Sequence, residues 1–235
     1  MLELTWEIRF KDEDTDDRGD IKISSLMYHF QEIAAAHAGK LGAGFDDLME
    51  NGLIWVMTKL KFSIFCRMYK DTAYVLSTYP RKKKGVTFFR DYYICDFNGN
   101  IMAAAESHWC IINFNTRKIE RTDIDFDGEY TAREAFEEGI EKITIPELDE
   151  VGKYVVKEAD LDRNQHTNNC RYGDIISDVA GGNNCSRFII NFVHEARLGD
   201  MIYLYRGFSG DKTVTVGKLD DGTPVFRSCA VYKQK

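Results

Sequence analysis

The sequence predicts an α+β chain built from two tandem copies of one unit, a curved antiparallel sheet wrapped around a single central helix. Two observations predict it. The first is an internal echo: laid side by side without gaps, Asp14 meets Asp160, Asp16 meets Asp162 and Leu26 meets Tyr172. The second is that both halves show the same order of periods, a strand-like run, a helical run, then strand-like runs joined by turn signals. Composition fits a globular chain. Of 235 residues 44% are hydrophobic and only 3 are Pro, enough apolar matter for a sizeable core and too much for disorder.

Taken in order, "WEIRF" opens the first half as a strand. Ser24 or Ser25 is the expected N-cap of a helix whose apolar stripe carries Leu26, Phe30, Ile33, Ala34, His37 and Leu41. The runs "KFSIFCRMYKDTAYVLSTY" and "DFNGNIMAAAESHW" then read as antiparallel strands, with Asn98-Gly99 as a hairpin signal. In the second half "YVVKEA" is the opening strand. Asn168 or Asn169 is the expected cap of a helix marked by Tyr172, Ile175, Ile176, Val179 and Ala180, and Gly181-Gly182 ends it. "INFVHEARLGDMIYLYRGF" and "LDDGTPVFRSCAVY" repeat the strand runs, with Asp200 opposite Asp71 and Asp221-Gly222 as the second hairpin signal. One helix wrapped by an antiparallel sheet is the hotdog arrangement, and two copies in one chain form an internal pseudo-dimer with a continuous sheet. The expected divisions are an N-terminal hotdog over 1–114, a linker over 115–150 and a C-terminal hotdog over 151–235. Residues 116–150 hold twelve acidic and five basic side chains, the whole of the net charge of -7, and "TAREAFEEGIEK" is the expected short helix within them.

A neutral body with one acidic segment argues against a nucleic-acid binder. No run reaches the roughly 18 apolar residues of a membrane helix. Met1 leads at once into "LELTWEIRF", so no signal or transit peptide is expected. The six cysteines form no CxxC pair and read as reduced thiols of a cytoplasmic protein. The densest basic cluster is Arg81, Lys82, Lys83 and Lys84, which is either a docking patch for an anionic partner or a solvated hairpin.

The stretch "DLDRNQHTNN", Asp160 to Asn169, gathers two acids, three asparagines, a histidine and a glutamine. Asp160, Asp162 and Asn164 match the start of a calcium loop, but that loop needs Gly at its sixth position and Glu at its twelfth, where Gln165 and Arg171 stand. Zinc lacks a paired ligand near His166. No metal or cofactor is expected. A capped, solvated turn and a catalytic segment are the two remaining readings. The halves differ here: Arg18 and Asp20 stand opposite Asn164 and His166, and Cys66 stands opposite Glu195. The polar set therefore belongs to the second half alone. A helix N-terminus can hold a developing oxyanion, and a carboxylate or imidazole can activate water.

"DLDRNQHTNNCRY" resembles the hallmark segment of the acyl-[acyl-carrier-protein] thioesterases of plant plastids and bacteria, D-L-D-x-N-x-H-x-N-N-x-x-Y. "SSLMYHFQEIAAAHAGKLG", "GLIWVMTKLKF" and "AESHWCIINFNTRKIER" resemble the same family. The resemblance spans nearly the whole chain. It implies a double hotdog that hydrolyses acyl-carrier-protein thioesters and releases fatty acids, with its functional set on Asp162, Asn164, His166 and Glu195. Plant members carry Cys after the matching Glu, where this chain has Ala196, so direct hydrolysis is expected in place of a cysteine nucleophile. Glu195 is then the general base or, as the lesser reading, the attacking carboxylate. His166 and Asn164 position water and thioester, and Asp162 holds and polarises them. The acyl tunnel is expected in the first half, around the helix and Trp55–Phe65. The implied partner is acyl carrier protein, docked on Arg81–Lys84, with Arg90, Arg117, Lys118 and Arg121 as rival basic residues. A homodimer is compatible with this reading. An acyl-CoA thioesterase, a dehydratase of the same fold and a non-catalytic acyl-thioester binder are the alternatives. Plant members also begin with a plastid transit peptide, so a bacterial cytoplasmic protein is the simpler expectation.

Overall fold

A computed structural model describes residues 2–126, 128–131 and 133–233. The first half runs through β1 (Leu4–Arg9), α1 (Ile23–Lys40), the short α2 (Phe45–Met49), β2 (Leu53–Ile64), β3 (Ala73–Lys84), β4 (Thr87–Cys95) and β5 (Ile101–Asn113). The second runs through β6 (Asp149–Val155), α3 (Arg171–Ala180), β7 (Cys185–Phe192), β8 (Met201–Ser209), β9 (Lys212–Lys218) and β10 (Pro224–Tyr232). All ten strands form one antiparallel sheet in the order β1-β3-β4-β5-β2-β7-β10-β9-β8-β6. Read inward from either edge the order is the same, so the echo in the sequence is a pseudo-two-fold in space. The chain is a double hotdog.

The halves join where β2 pairs with β7, from Lys59↔Asn191 to Ser63↔Arg187. There the fully buried Phe62 and Phe188 stack with centroids 5.2 Å apart. The helical stripes face inward as their spacing predicts. Leu26, Phe30, Ile33 and Ala34 of α1 and Tyr172, Ile175, Ile176 and Ala180 of α3 enter one core with Tyr92, Phe188 and Phe226. Among the described residues no helix is long and apolar enough to cross a membrane.

The helix starts differ from expectation. Neither Ser24 nor Ser25 caps α1, which begins at Ile23 with Lys22 in the N-cap position. The Ile23 N–H instead donates to Asn183 Oδ1 of the other half at 3.0 Å, and the Ser24 hydroxyl donates to Asp174 on α3. Before α3, Asn168 Oδ1 accepts the Cys170 N–H at 2.9 Å, so Asn168 and not Asn169 supplies the capping bond. Local cap rules miss α1 because its acceptor is supplied by a residue remote in sequence.

The linker helix expected over "TAREAFEEGIEK" is not formed among the described residues; Ala132 lies outside them. The segment lies as an extended strap on the face of the sheet that the helices leave open. Phe136 packs against Tyr79, Tyr93 and Ala104. Ile143 and Leu148 cover Ile189, Val214 and Val216 of the second half. Extended chain advances about 3.3 Å per residue against 1.5 Å in a helix, and only the extended form reaches both halves. Gly139, at φ +65°, further breaks the helical run.

The two helices lie in close contact at Gly173, where a Cβ would stand 2.7 Å from Ser24 N and 2.9 Å from its Cα. The obstacle is backbone and cannot swing aside. Gly173→Ala is expected to destabilise the chain by about 1–3 kcal/mol, seen as a lower denaturant midpoint; an unchanged midpoint would mean that the helices are not locked there.

Candidate active site

The polar segment is anchored at its start by Asp160, whose buried carboxylate accepts from Tyr154 Oη at 2.7 Å, Lys157 N–H at 2.8 Å and Arg171 Nε at 2.9 Å. Burial alone would raise its pKa, but these donors and the Arg171 charge outweigh burial and hold the carboxyl below its usual range. The next turn is built by Asp162. Its Oδ1 accepts the N–H groups of Asn164 at 2.8 Å and His166 at 3.1 Å, while its own N–H donates to His166 O at 2.8 Å. Gln165 takes the left-handed position of that turn at φ +61°.

The first half carries the same turn. Asp16 Oδ1 accepts from Arg18 and Asp20 N–H, each at 3.0 Å, and the left-handed position is Gly19 at φ +73°. Asp14 and Asp160 likewise both accept the N–H of a lysine three residues earlier at 2.8 Å. Asp162 is thus first a turn-builder, since Asp16 does the same where no imidazole follows. It acts on His166 through the backbone and through its charge.

The Thr167 N–H and hydroxyl both donate to Ala196 O, at 2.9 and 3.0 Å. This stitches the turn to the segment after β7 and sets His166 Nε2 3.3 Å from Glu195 Oε2. The other carboxylate oxygen pairs with the guanidinium of Arg117, at the start of the linker in the turn that leaves β5 of the first half. Arg117 sits at φ +57° in the turn after β5, where Asn113 Oδ1 accepts the N–H groups of Asn115 and Thr116 at 3.0 and 2.9 Å. Burial, together with the charges of Arg117 and Arg197, lowers the His166 pKa below its usual 6.5 despite the opposing charge of Asp162. The imidazole is therefore neutral at pH 7.

Asp162, Asn164, His166, Glu195 and Arg117 all line one cavity of about 780 Å³. It continues into the first half past Ala34, Ala38, Trp55, Met57, Phe88 and Trp109. It touches β2 only along Ile54–Met57, a shorter stretch than the Trp55–Phe65 run expected from sequence. The start of α3 is less open than expected. The N–H groups of Cys170, Arg171 and Tyr172 are taken by Asn168 Oδ1, Asn168 O and Asn169 O. Next to the helix start, the Asn169 N–H has no acceptor among the described residues.

Ala196 is fully buried, and burial pushes the Cys170 and Cys185 thiols up to about 12, so no thiolate stands by the site. Among the described residues no three His, Cys, Asp or Glu side chains converge on a metal position. The four residues of the basic cluster divide. Arg81 is held by Glu106 at 2.9 Å, Glu134 at 3.1 Å and Asp91 at 3.4 Å, so its charge is already matched. Lys83 donates to Thr122 O and lies over the Phe88 ring. Lys82 and Lys84 are exposed. Arg90, a rival docking residue by sequence, is 6% exposed and cannot meet a protein partner. Arg117 is the site residue that sequence reasoning left among the docking basics; its place in the "TRKIER" stretch was the available signal.

The class these features define is a double hotdog with an acid–base pair at the end of a mainly apolar cavity. The Acyl-ACP thioesterase N-terminal domain profile matches residues 2–130 and the Acyl-ACP thioesterase C-terminal domain profile matches 144–215. The chain belongs to the acyl-ACP thioesterase family. Over 167 residues it is 28% identical to a chloroplastic acyl-[acyl-carrier-protein] hydrolase of Cuphea viscosissima, a span of 64% of this chain but only 40% of that relative's length. Its fold matches an acyl-ACP thioesterase from Bacteroides thetaiotaomicron with TM-score 0.86 at 22% identity, covering 99% of this chain and 98% of the other. It also matches a 12:0-ACP thioesterase from Umbellularia californica with TM-score 0.86 at 17% identity, covering 100% and 98%.

Proposed function

We propose that the chain hydrolyses acyl-acyl-carrier-protein thioesters and releases free fatty acids in the cytoplasm. The observation that carries this reading is the Glu195–His166–Arg117 set lining the cavity, with His166 inside the segment that resembles the family's hallmark. Arg117 fixes one oxygen of Glu195, and the other is left beside a neutral imidazole. Glu195 takes the proton of an attacking water, with His166 and Asn164 orienting water and thioester. The Asn169 N–H and the Asn164 amide are the donors available to the oxyanion. The leaving thiolate needs little help, because its thiol has a pKa of about 8.5. The acyl chain lies in the first-half cavity, so residues 1–114 bind, residues 151–235 react and 115–150 strap the sheet. The six unpaired cysteines suit a reducing compartment.

Glu195→Gln and His166→Ala are each expected to lower kcat by roughly 100- to 10,000-fold with unchanged thermal unfolding. Near wild-type turnover in a folded variant would contradict the assignment.

Acyl carrier protein, an acidic partner, would dock on exposed positive charge, for which Lys82 and Lys84 remain once Arg81 and Lys83 are accounted for. Replacing both by Glu is expected to raise KM for the carrier-bound substrate several-fold at constant kcat, to spare a short pantetheine thioester, and to matter less at high salt. Equal loss on both substrates would contradict docking at this hairpin.

A further inference from the structure

We infer that the cavity is built for acyl chains bearing an oxygen acceptor beyond the thioester, and that Arg90 is the residue that binds that oxygen. The inference deepens the thioester-hydrolase reading and rests on it for the acyl substrate. Alternation along β4 puts Arg90 on the same face as Tyr92 and Ile94, which enter the core with the helices, and Arg90 lines the cavity with Phe88. Among the described residues the guanidinium bonds through Nη1, to His37 Nδ1 at 3.0 Å and Thr78 Oγ1 at 3.3 Å, and through neither Nη2 nor Nε. Both partners are neutral: burial, with Arg90 and Lys40 nearby, takes the His37 pKa down to about 4. Among the described residues no carboxylate pairs with Arg90. The other deeply placed cations are matched, Arg81 by three carboxylates and Lys61 by Glu141 at 2.7 Å.

A buried guanidinium stays charged and needs acceptors for its remaining donors. A plain hydrocarbon chain filling the cavity would leave Nη2 and Nε facing methylenes. A hydroxyl, oxo group or carboxylate on the chain would satisfy them, and a carboxylate would also cancel the charge. Topology places the contact away from the reacting carbon. From β7, which leads into Glu195, the sheet steps to β2, β5 and then β4. Three strand spacings of about 4.8 Å put Arg90 about 14 Å across the sheet, opposite the middle or end of a bound chain.

The test uses the intact protein and matched series of free acids: unsubstituted, hydroxylated at stepped positions, and carboxylated at the far end. Calorimetry measures their binding, and kcat/KM is read on the corresponding pantetheine thioesters. A site built around a polar group discriminates strongly against analogues lacking it, so the best oxygenated chain should exceed its plain counterpart by about tenfold or more in the wild type. Arg90→Met should abolish or reverse that ratio. A wild type that prefers the plain chain at every position, or a variant that keeps the wild-type ratio, would overturn the inference and leave Arg90 as framework. Should Arg90→Met fail to fold, the wild-type ratio decides alone. Preference for oxygenated acids with no turnover of any thioester would sink the hydrolase reading and leave this one standing.

Discussion

The pairing of β2 with β7 is the constraint on which the rest of the molecule depends. It merges two five-stranded units into one sheet and is sealed by Phe62 against Phe188. The helices add a second lock above it, where Gly173 lets α3 reach the Ser24 backbone and Asn183 receives the Ile23 N–H. With these contacts in place, the turn after β5 and the segment after β7 have a fixed separation. That separation brings Arg117 to Glu195. The candidate site is therefore composite: its carboxylate and imidazole come from one half, most of its cavity from the other, and its guanidinium from the turn that leaves β5.

The repeat is one of scaffold and not of chemistry. Asp16 and Asp162 fold the same turn with the same backbone bonds. What differs is the side chains that the turn presents, Arg18 and Asp20 in one half and Asn164 and His166 in the other. The first-half turn thereby lacks the imidazole, and the space between α1 and the sheet is lined in part by Ala34, Ala38, Phe88 and Trp109. Arg90 stands in that wall with Gln31, Glu32 and Arg81, and unlike Arg81 it has no carboxylate partner among the described residues.

Local periodicity and turn residues made the two helices, the strand runs and the polar turn legible from sequence, because each depends on neighbours in the chain. The echo of Asp14-Thr15-Asp16 in Asp160-Leu161-Asp162 exposed the duplication directly. What failed depended on distant partners. The α1 cap comes from Asn183, the Glu195 guanidinium from Arg117, and the matching of Arg81 from carboxylates on β4, β5 and the strap. The strap itself carries helix-favouring residues, yet Phe136 and Ile143 cover opposite halves of the sheet, and burying both outweighs a weak local preference. Basic residues that look alike in sequence, Arg81, Lys82, Arg90 and Arg117, meet four different fates.

The most direct test of a site shared between the halves is an NMR titration of the His166 imidazole in the wild type and in Arg117→Ala. Arg117 helps to hold the His166 pKa below 6.5 while Asp162 pulls it upward. Removing the guanidinium takes away a neighbouring positive charge and frees Glu195 to stabilise the imidazolium, so the titration should move to higher pH. A wild-type midpoint below 6.5 that rises in the variant is the predicted result. A midpoint that is the same in both proteins would contradict a site assembled across the β2–β7 junction.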